Sequence, residues 1–270
     1  MARHSESISP DAVEAEERAR AGDESSTAPR PTLAGRLHYW WSLTVAGALL
    51  LVIGPPVLAV AWLTGRRAAV VYPWADFGAR AWLRLSGVTV RVRGLEHLDP
   101  RATYLFAANH RSYLDTATLF AYVGRRIGLL AKKELLKVPV LGPGMGFVNI
   151  LAIDRSNRTR ALETTRAATD RLRAGVSYGV FVEGTRARPG QLLPFKKGAF
   201  YMARDAGVPV VPVAIKHTDE LMGKGTGVAR PGTIEMVIMP PLSTAEYQGD
   251  EDINNLIAET RALIAAELAR

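Results

Sequence analysis

Cysteine is absent from all 270 residues. Its absence excludes disulfides, thiolate zinc sites, iron–sulfur ligation and any covalent mechanism through an enzyme thiol. Histidine is scarce, and no two of His4, His38, His97, His110 and His217 stand at zinc-site spacing, so no metal ligand set is expected. No Gly-x-Ser-x-Gly elbow occurs, Gly223-Lys224-Gly225 lacks the Ser or Thr of a phosphate-binding loop, and Gly142-Pro143-Gly144-Met145-Gly146 lacks dinucleotide-binding spacing. Acyl or phosphoryl chemistry in this chain must use other groups.

Large apolar side chains are nearly missing from residues 1–30. Seven acids there outweigh four bases, so this stretch carries −3 and leaves +11 for the rest of a chain whose formal charge is +8. It is expected to be a disordered acidic tail, because it buries too little to offset the entropy of ordering. Acids precede any apolar run, which is not the pattern of a signal peptide. The basic body predicts an anionic partner: a phosphorylated small molecule, an acidic membrane surface or nucleic acid. Basic residues are not interleaved with aromatics, which argues against nucleic acid.

What the chain does have is a run of 23 residues without a charge, Trp41 to Leu63. As a helix rising ~1.5 Å per residue it is long enough for a hydrocarbon core of ~30 Å. Gly54-Pro55-Pro56 interrupts it, so a kinked span or two half-length helices are expected instead of a straight rod. Trp40 and Trp41 resemble interfacial anchors. Arg66, Arg67, Arg80, Arg84, Arg91 and Arg93 follow the run, against Arg36 just upstream, which places the C-terminal body in the cytoplasm if the segment spans. If it only dips in, both ends are cytoplasmic. A buried core helix is the competing reading. The next stretch, Ala68 to Leu85, suits either an interfacial helix or an ordinary amphipathic one.

Beyond Ser86, short β-rich runs alternate with helical stretches. Strands are expected at Val88–Val92, Thr103–Ala107, Ile127–Leu130, Asn149–Ile153, Gly179–Val182, Val208–Ile215 and Thr233–Met239, and helices at Tyr113–Val123, Arg158–Ala174, Lys197–Ala206 and Ile253–Leu268. This pattern implies an α/β fold with a mostly parallel sheet flanked by helices. Three parts result: a tail over 1–30, a hydrophobic membrane-associating helical segment over 31–85, and one α/β domain over 86–270. Ligands are expected where strands end and helices begin.

Asn109-His110-Arg111-Ser112-Tyr113-Leu114-Asp115 follows one of the apolar strands. A histidine on such a turn can exchange a proton near neutral pH, and a carboxylate five residues on can orient it. On one continuous helix the two would sit about 500° apart, so they meet only if His110 is on the turn and Asp115 in the first helical turn. The other reading is that Ser112 and Asp115 form a helix cap and His110 merely ends a strand. Phe181-Val182-Glu183-Gly184-Thr185-Arg186 reads as an anion site, in which Gly184 permits close backbone approach and Arg186 offers a planar fork. A tight turn with a surface ion pair fits the same residues.

Together these stretches resemble the glycerolipid acyltransferase family, and within it the lysophosphatidate acyltransferases. The family's first motif is a histidine and an aspartate separated by four residues. Leu151-Ala152-Ile153-Asp154-Arg155 looks like its second motif, the Phe181–Arg186 stretch like its third, and Val208-Pro209-Val210-Val211-Pro212-Val213 like its fourth. The third departs from the usual pattern at Val182, where proline is common, and at Ala187, where serine is.

The resemblance implies acyl transfer from an acyl thioester, acyl-CoA or acyl carrier protein, to the hydroxyl of 1-acylglycerol 3-phosphate, with no other cofactor. It assigns catalysis to His110 and Asp115 and substrate binding to Glu183, Gly184, Thr185, Arg186 and Arg155. It also implies membrane lipids as partners and a membrane-associated protein whose catalytic domain is on the cytoplasmic face. Glycerol 3-phosphate or another lysophospholipid as acceptor, and an inactive basic membrane-binding protein of the same fold, remain alternatives.

Overall fold

The structure, a computed structural model, describes residues 32–65, 67–247 and 249–270. The acidic tail expected over 1–30 lies outside the described residues. The described chain opens with two long helices, α1 (Leu33–Thr64) and α2 (Arg67–Leu85), joined at Gly65 in the left-handed conformation. Thr32 caps α1 by accepting from the Gly35 amide at 3.1 Å, and the Gly65 amide bonds back to the Trp62 carbonyl.

One expectation is corrected here. Pro55 and Pro56 do not divide the segment into two helices, because α1 runs unbroken through both. The prolines remove the amides that would reach the Leu51 and Val52 carbonyls. Packing carries the helix across that gap: Gly54 lies so close to Val140 that an added Cβ would overlap it, and Val57 and Ala61 are buried in the core shared with α2.

The two helices form an antiparallel hairpin whose base is tied to the body. Trp41 Nε1 donates to the Leu85 carbonyl at 2.9 Å, the Ser42 and Ser86 hydroxyls bond at 2.8 Å, and the Ala229 amide donates to the Gly35 carbonyl at 2.9 Å. The most apolar window of α1 has a mean hydropathy of 2.3 and is only 6% buried, so it is not a core helix. Trp40, Leu51, Val52, Trp62 and Leu63 point outward, as do Trp74 and Phe77 of α2. The other face of α2 buries Val71, Tyr72 and Leu83 against the domain, so α2 is both packed and outward-facing.

All seven expected strands occur, with ends shifted by up to two residues either way: β1 (Val88–Arg93), β2 (Leu105–Ala108), β3 (Gly128–Lys132), β4 (Ile150–Ile153), β5 (Tyr178–Phe181), β6 (Val210–Lys216) and β7 (Gly232–Ile238). They form one sheet in the order β1-β7-β6-β2-β5-β3-β4, in which β6–β7 is the one antiparallel pairing. The sheet is mostly parallel and flanked by helices, as the alternation predicts. The four expected helices are α3 (Leu114–Tyr122), α5 (Arg158–Arg173), α6 (Gly198–Ala206) and α8 (Asp250–Leu268); short helices α4 (Leu141–Met145) and α7 (Thr218–Met222) lie in connections.

Strand β2 shows why both faces must be covered. All four of its residues are buried, and they alternate between layers: Phe106 and Ala108 meet the hairpin and α3, while Leu105 and Ala107 meet α5, α6 and α8. Helix α3 approaches β5 closely because position 179 is glycine. A Cβ there would lie 2.9 Å from side-chain carbons of Leu119, Ile127 and Leu129. Gly179→Ala is therefore expected to overpack this contact and lower stability by about 1–3 kcal/mol, read as a lower midpoint of urea denaturation with an unchanged slope.

Candidate active site

Strands β2, β3, β4, β5 and β6 run parallel, so their C-terminal ends share one edge of the sheet, and the motif residues collect there. Asn109, fully buried at the end of β2, anchors this edge. Its side-chain amide donates to the Ile215 carbonyl at 2.9 Å and accepts from the Ile215 amide at 2.8 Å. A side chain thus imitates one more ladder residue between β2 and β6, while the main chain leaves the sheet to turn.

His110 sits on that turn and Asp115 in the first turn of α3, the one arrangement in which the two can meet. His110 Nδ1 and Asp115 Oδ2 are 2.9 Å apart. The same oxygen accepts from the amides of Arg111 at 2.6 Å and Ser112 at 2.7 Å, so the capping reading and the pairing reading are both present in one carboxylate. Asp115 is fully buried. A carboxylate accepts hydrogen bonds, so Nδ1 carries the proton and Nε2 presents the imidazole lone pair. The ring stacks on Phe181 with centroids 4.0 Å apart and stays 16% exposed, enough for a substrate to reach it.

Glu183, at the end of β5, has a different place from the one expected. It is 1% exposed, and its carboxylate accepts the His110 amide at 2.7 Å and the Leu193 amide at 2.7 Å. Each oxygen accepts one backbone amide, so Glu183 holds the main chain of the histidine turn. Burial pushes its carboxyl above the usual carboxylate range, opposed by those two amides and by Arg111.

Gly184 turns the chain at a positive φ of 72°, Thr185 is exposed, and Arg186 is half-buried. Arg155, exposed at the end of β4, donates from Nη1 to the Gly184 carbonyl, which joins the second and third motifs. The Ala187 amide donates to the His110 carbonyl at 2.7 Å, so the arginine-bearing turn is stitched to the histidine. The Arg186 guanidinium stacks over the Tyr113 ring.

Sequence reasoning missed the strut beneath these turns. Arg111 is 9% exposed, donates from Nε to the Gln191 carbonyl at 2.8 Å and pairs with Asp219 at 3.3 Å, while Asp219 accepts the Gly190 amide at 2.8 Å. No local signal links partners 108 positions apart. Of the basic residues near the motifs, Lys133 is engaged by Asp154 at 2.8 Å and Lys132 by Glu134 at 3.5 Å.

Between the hairpin and α3 lies an apolar cavity of about 380 Å³. It is walled by Ile53, Val57 and Leu58 of α1, Trp74 and Trp82 of α2, Thr116, Ala117 and Phe120 of α3, and Val140 and Met145 around α4. Thr116 and Ala117 directly follow Asp115, so the helix that carries the aspartate also lines the cavity.

The sequence model of the acyltransferase family matches residues 89–216, which contain the histidine turn and the arginine turn. A chloroplastic 1-acyl-sn-glycerol-3-phosphate acyltransferase of Brassica napus is 30% identical over 259 residues, covering 91% of this chain and 73% of the relative. A 1-acyl-sn-glycerol-3-phosphate acyltransferase of Salmonella typhimurium is 32% identical over 186 residues, covering 68% and 75%. The chain belongs to the acyltransferase family. The crystal structure of the 1-acyl-sn-glycerophosphate (LPA) acyltransferase PlsC from Thermotoga maritima superimposes with a TM-score of 0.76 at 26% identity, over 87% of this acyltransferase and 97% of that chain.

The geometry of Glu183 yields a test in this acyltransferase. Glutamine offers one acceptor oxygen where the carboxylate offers two, so Glu183→Gln leaves the His110 or the Leu193 amide unpaired. Stability is expected to fall by about 1–3 kcal/mol, together with turnover, measured by chemical denaturation and initial rates. Because the folded pKa is raised, the favourable contribution of the protonated carboxyl is complete below the unfolded pKa and is lost as pH rises through the folded one. The glutamine variant should lack that part of the pH dependence.

Proposed function

We propose that this acyltransferase moves a fatty acyl group from an acyl thioester to the free hydroxyl of 1-acylglycerol 3-phosphate, giving phosphatidate. One observation carries the reading: the His110–Asp115 pair is bonded through the His110 carbonyl to the arginine-bearing turn, and the helix that carries Asp115 lines an apolar cavity with Thr116, Ala117 and Phe120. The first suits a phosphate and the second an acyl chain. That the relatives in Brassica, Salmonella and Thermotoga are 1-acylglycerol-3-phosphate acyltransferases supports the same acceptor.

In this mechanism His110 Nε2 is the general base. It takes the proton of the acceptor hydroxyl as that oxygen attacks the thioester carbonyl carbon; the carbon–sulfur bond then breaks, and the thiolate leaves with the proton returned from the imidazolium. Asp115 keeps Nδ1 protonated and stabilises the positive ring. The transfer is direct, with no acyl-enzyme, which agrees with a chain lacking cysteine and a serine elbow. Arg186 and Arg155, with the turn at Gly184 and Thr185, hold the acceptor's phosphate. Either acyl-CoA or acyl carrier protein supplies the thioester, and no other cofactor takes part.

The hairpin carries the protein on a membrane. Both of its ends meet the body, so it enters one leaflet and returns, and the basic residues that follow it favour the cytoplasmic side. Its outward tryptophans and leucines sit among lipids, the membrane partners, and the same hairpin walls the apolar cavity.

His110→Ala is expected to lower turnover by a factor of about 10²–10⁴ without unfolding. The assay uses purified full-length protein, labelled acyl-CoA and a panel of acceptors with product identification; a folded variant with near-normal turnover would end the assignment, and preference for glycerol 3-phosphate would move the acceptor. Leu51→Asp combined with Trp62→Asp should reduce partition into phospholipid vesicles at least tenfold, since each side chain removes about 1.5–3 kcal/mol of burial. Unchanged co-sedimentation would refute the hairpin's role.

A further inference from the structure

Arg186 is held in an unusual way for a cation at a binding site. Its guanidinium carbon lies 3.6 Å from the centroid of the Tyr113 ring. Among the described residues no carboxylate pairs with it, and none of its guanidinium nitrogens has a hydrogen-bond partner. Among the described residues, Arg80 lies 4.3 Å from the Tyr122 centroid and also binds Asp76, Arg125 lies 4.8 Å from the Tyr104 centroid and also binds the Asp99 and Ala102 carbonyls, and Arg67 and Arg126 stack without hydrogen bonds but farther off, at 5.5 Å from Phe147 and 5.3 Å from Tyr72. Arg186 makes the closest of these contacts with all its N–H donors unspent.

We propose that Tyr113 is a positioning residue for the acceptor: its ring face orients the Arg186 guanidinium toward the phosphate and leaves the N–H fork free to bind it. The inference rests on the reading of Arg186 as a phosphate ligand. An aromatic face attracts the cation and restricts a long side chain that otherwise loses much rotamer freedom on binding. A carboxylate in the same place would hold the arginine by consuming the donors that the phosphate needs.

The surroundings fit this role. Tyr113 is 47% exposed although it stands at the entry to α3, where no packing demands a bulky ring. Its backbone belongs to the turn that joins His110 to Asp115, and Ser112 just before it is buried and bonded to the Met222 carbonyl at 2.7 Å. The main chain of Arg186 is fixed independently, because Lys224 Nζ donates to its carbonyl and the next amide donates to His110. Tyrosine and arginine are therefore both mounted on rigid turns, and only the guanidinium's direction is left to the ring. This coupling makes the distance between the anion and the base a property of three residues of chain.

The test compares Tyr113→Phe, Tyr113→Leu and Arg186→Ala in the full-length protein, using 1-acylglycerol 3-phosphate and the uncharged monoacylglycerol as acceptors. Tyr113→Leu should raise the KM for the phosphorylated acceptor about three- to thirtyfold, with kcat close to wild type and transfer to monoacylglycerol unaltered. Tyr113→Phe, which keeps the face, should behave as wild type. Combining Tyr113→Leu with Arg186→Ala should add nothing to Arg186→Ala alone.

An unchanged KM in Tyr113→Leu, an equal loss in the phenylalanine variant, or a fall in kcat with both acceptors would overturn the proposal. If Tyr113→Leu does not fold, Tyr113→Phe and the double-variant comparison built on Tyr113→Ala decide in its place. If Arg186→Ala leaves KM unchanged, the phosphate reading itself fails; a raised KM there with an unmoved Tyr113→Leu defeats only the positioning role.

Discussion

The site depends on one oxygen. Asp115 Oδ2, fully buried at the start of α3, accepts the His110 ring and two consecutive backbone amides. An isolated buried carboxylate would be costly; three donors on Oδ2 offset that cost and shape the turn around it, while Oδ1 is buried without a hydrogen-bond partner. The amides close the loop into a tight arch, the arch begins the helix, and the imidazole is left with a single tautomer. Much else serves to keep this arch where it is. Asn109 extends the β2–β6 ladder beneath it, Glu183 grips its His110 amide, Arg111 and Asp219 brace the adjoining loop, and the Gly179 gap lets α3 approach the sheet.

The fold was largely legible because its signals are local. Continuously apolar runs separated by amphipathic stretches marked all seven strands and four helices, and the alternation led to a mostly parallel sheet. The reversal at β7 was not legible, since β7 and β1 carry the same kind of residues as their parallel neighbours. Proline misled at positions 55 and 56. The local penalty is real, but the contact of Gly54 with Val140, 86 positions away, compensates for it and cannot be read from the segment itself.

The site was legible as a set of residues and less so as a set of roles. The five-residue spacing of His110 and Asp115 allowed only one geometry in which they touch, and that geometry occurs. Glu183 shared a motif with Arg186 and was grouped with it by proximity in sequence. In space their tasks divide, because the carboxylate points back into the body and the guanidinium toward the crevice edge. Arg111 carried no signal of its own within the Asn109–Asp115 stretch; its importance lies in Gln191 and Asp219, which no spacing rule connects to it.

On the proposed seating of the hairpin in one leaflet, the reactants meet within the plane of the membrane. An enzyme tethered flat to a leaflet samples substrates by diffusion in two dimensions, so the relevant measure of supply is mole fraction among neighbouring lipids and not concentration in water. On the same proposal, a product with two acyl chains needs no aqueous transfer step before it joins the bilayer that it enlarges.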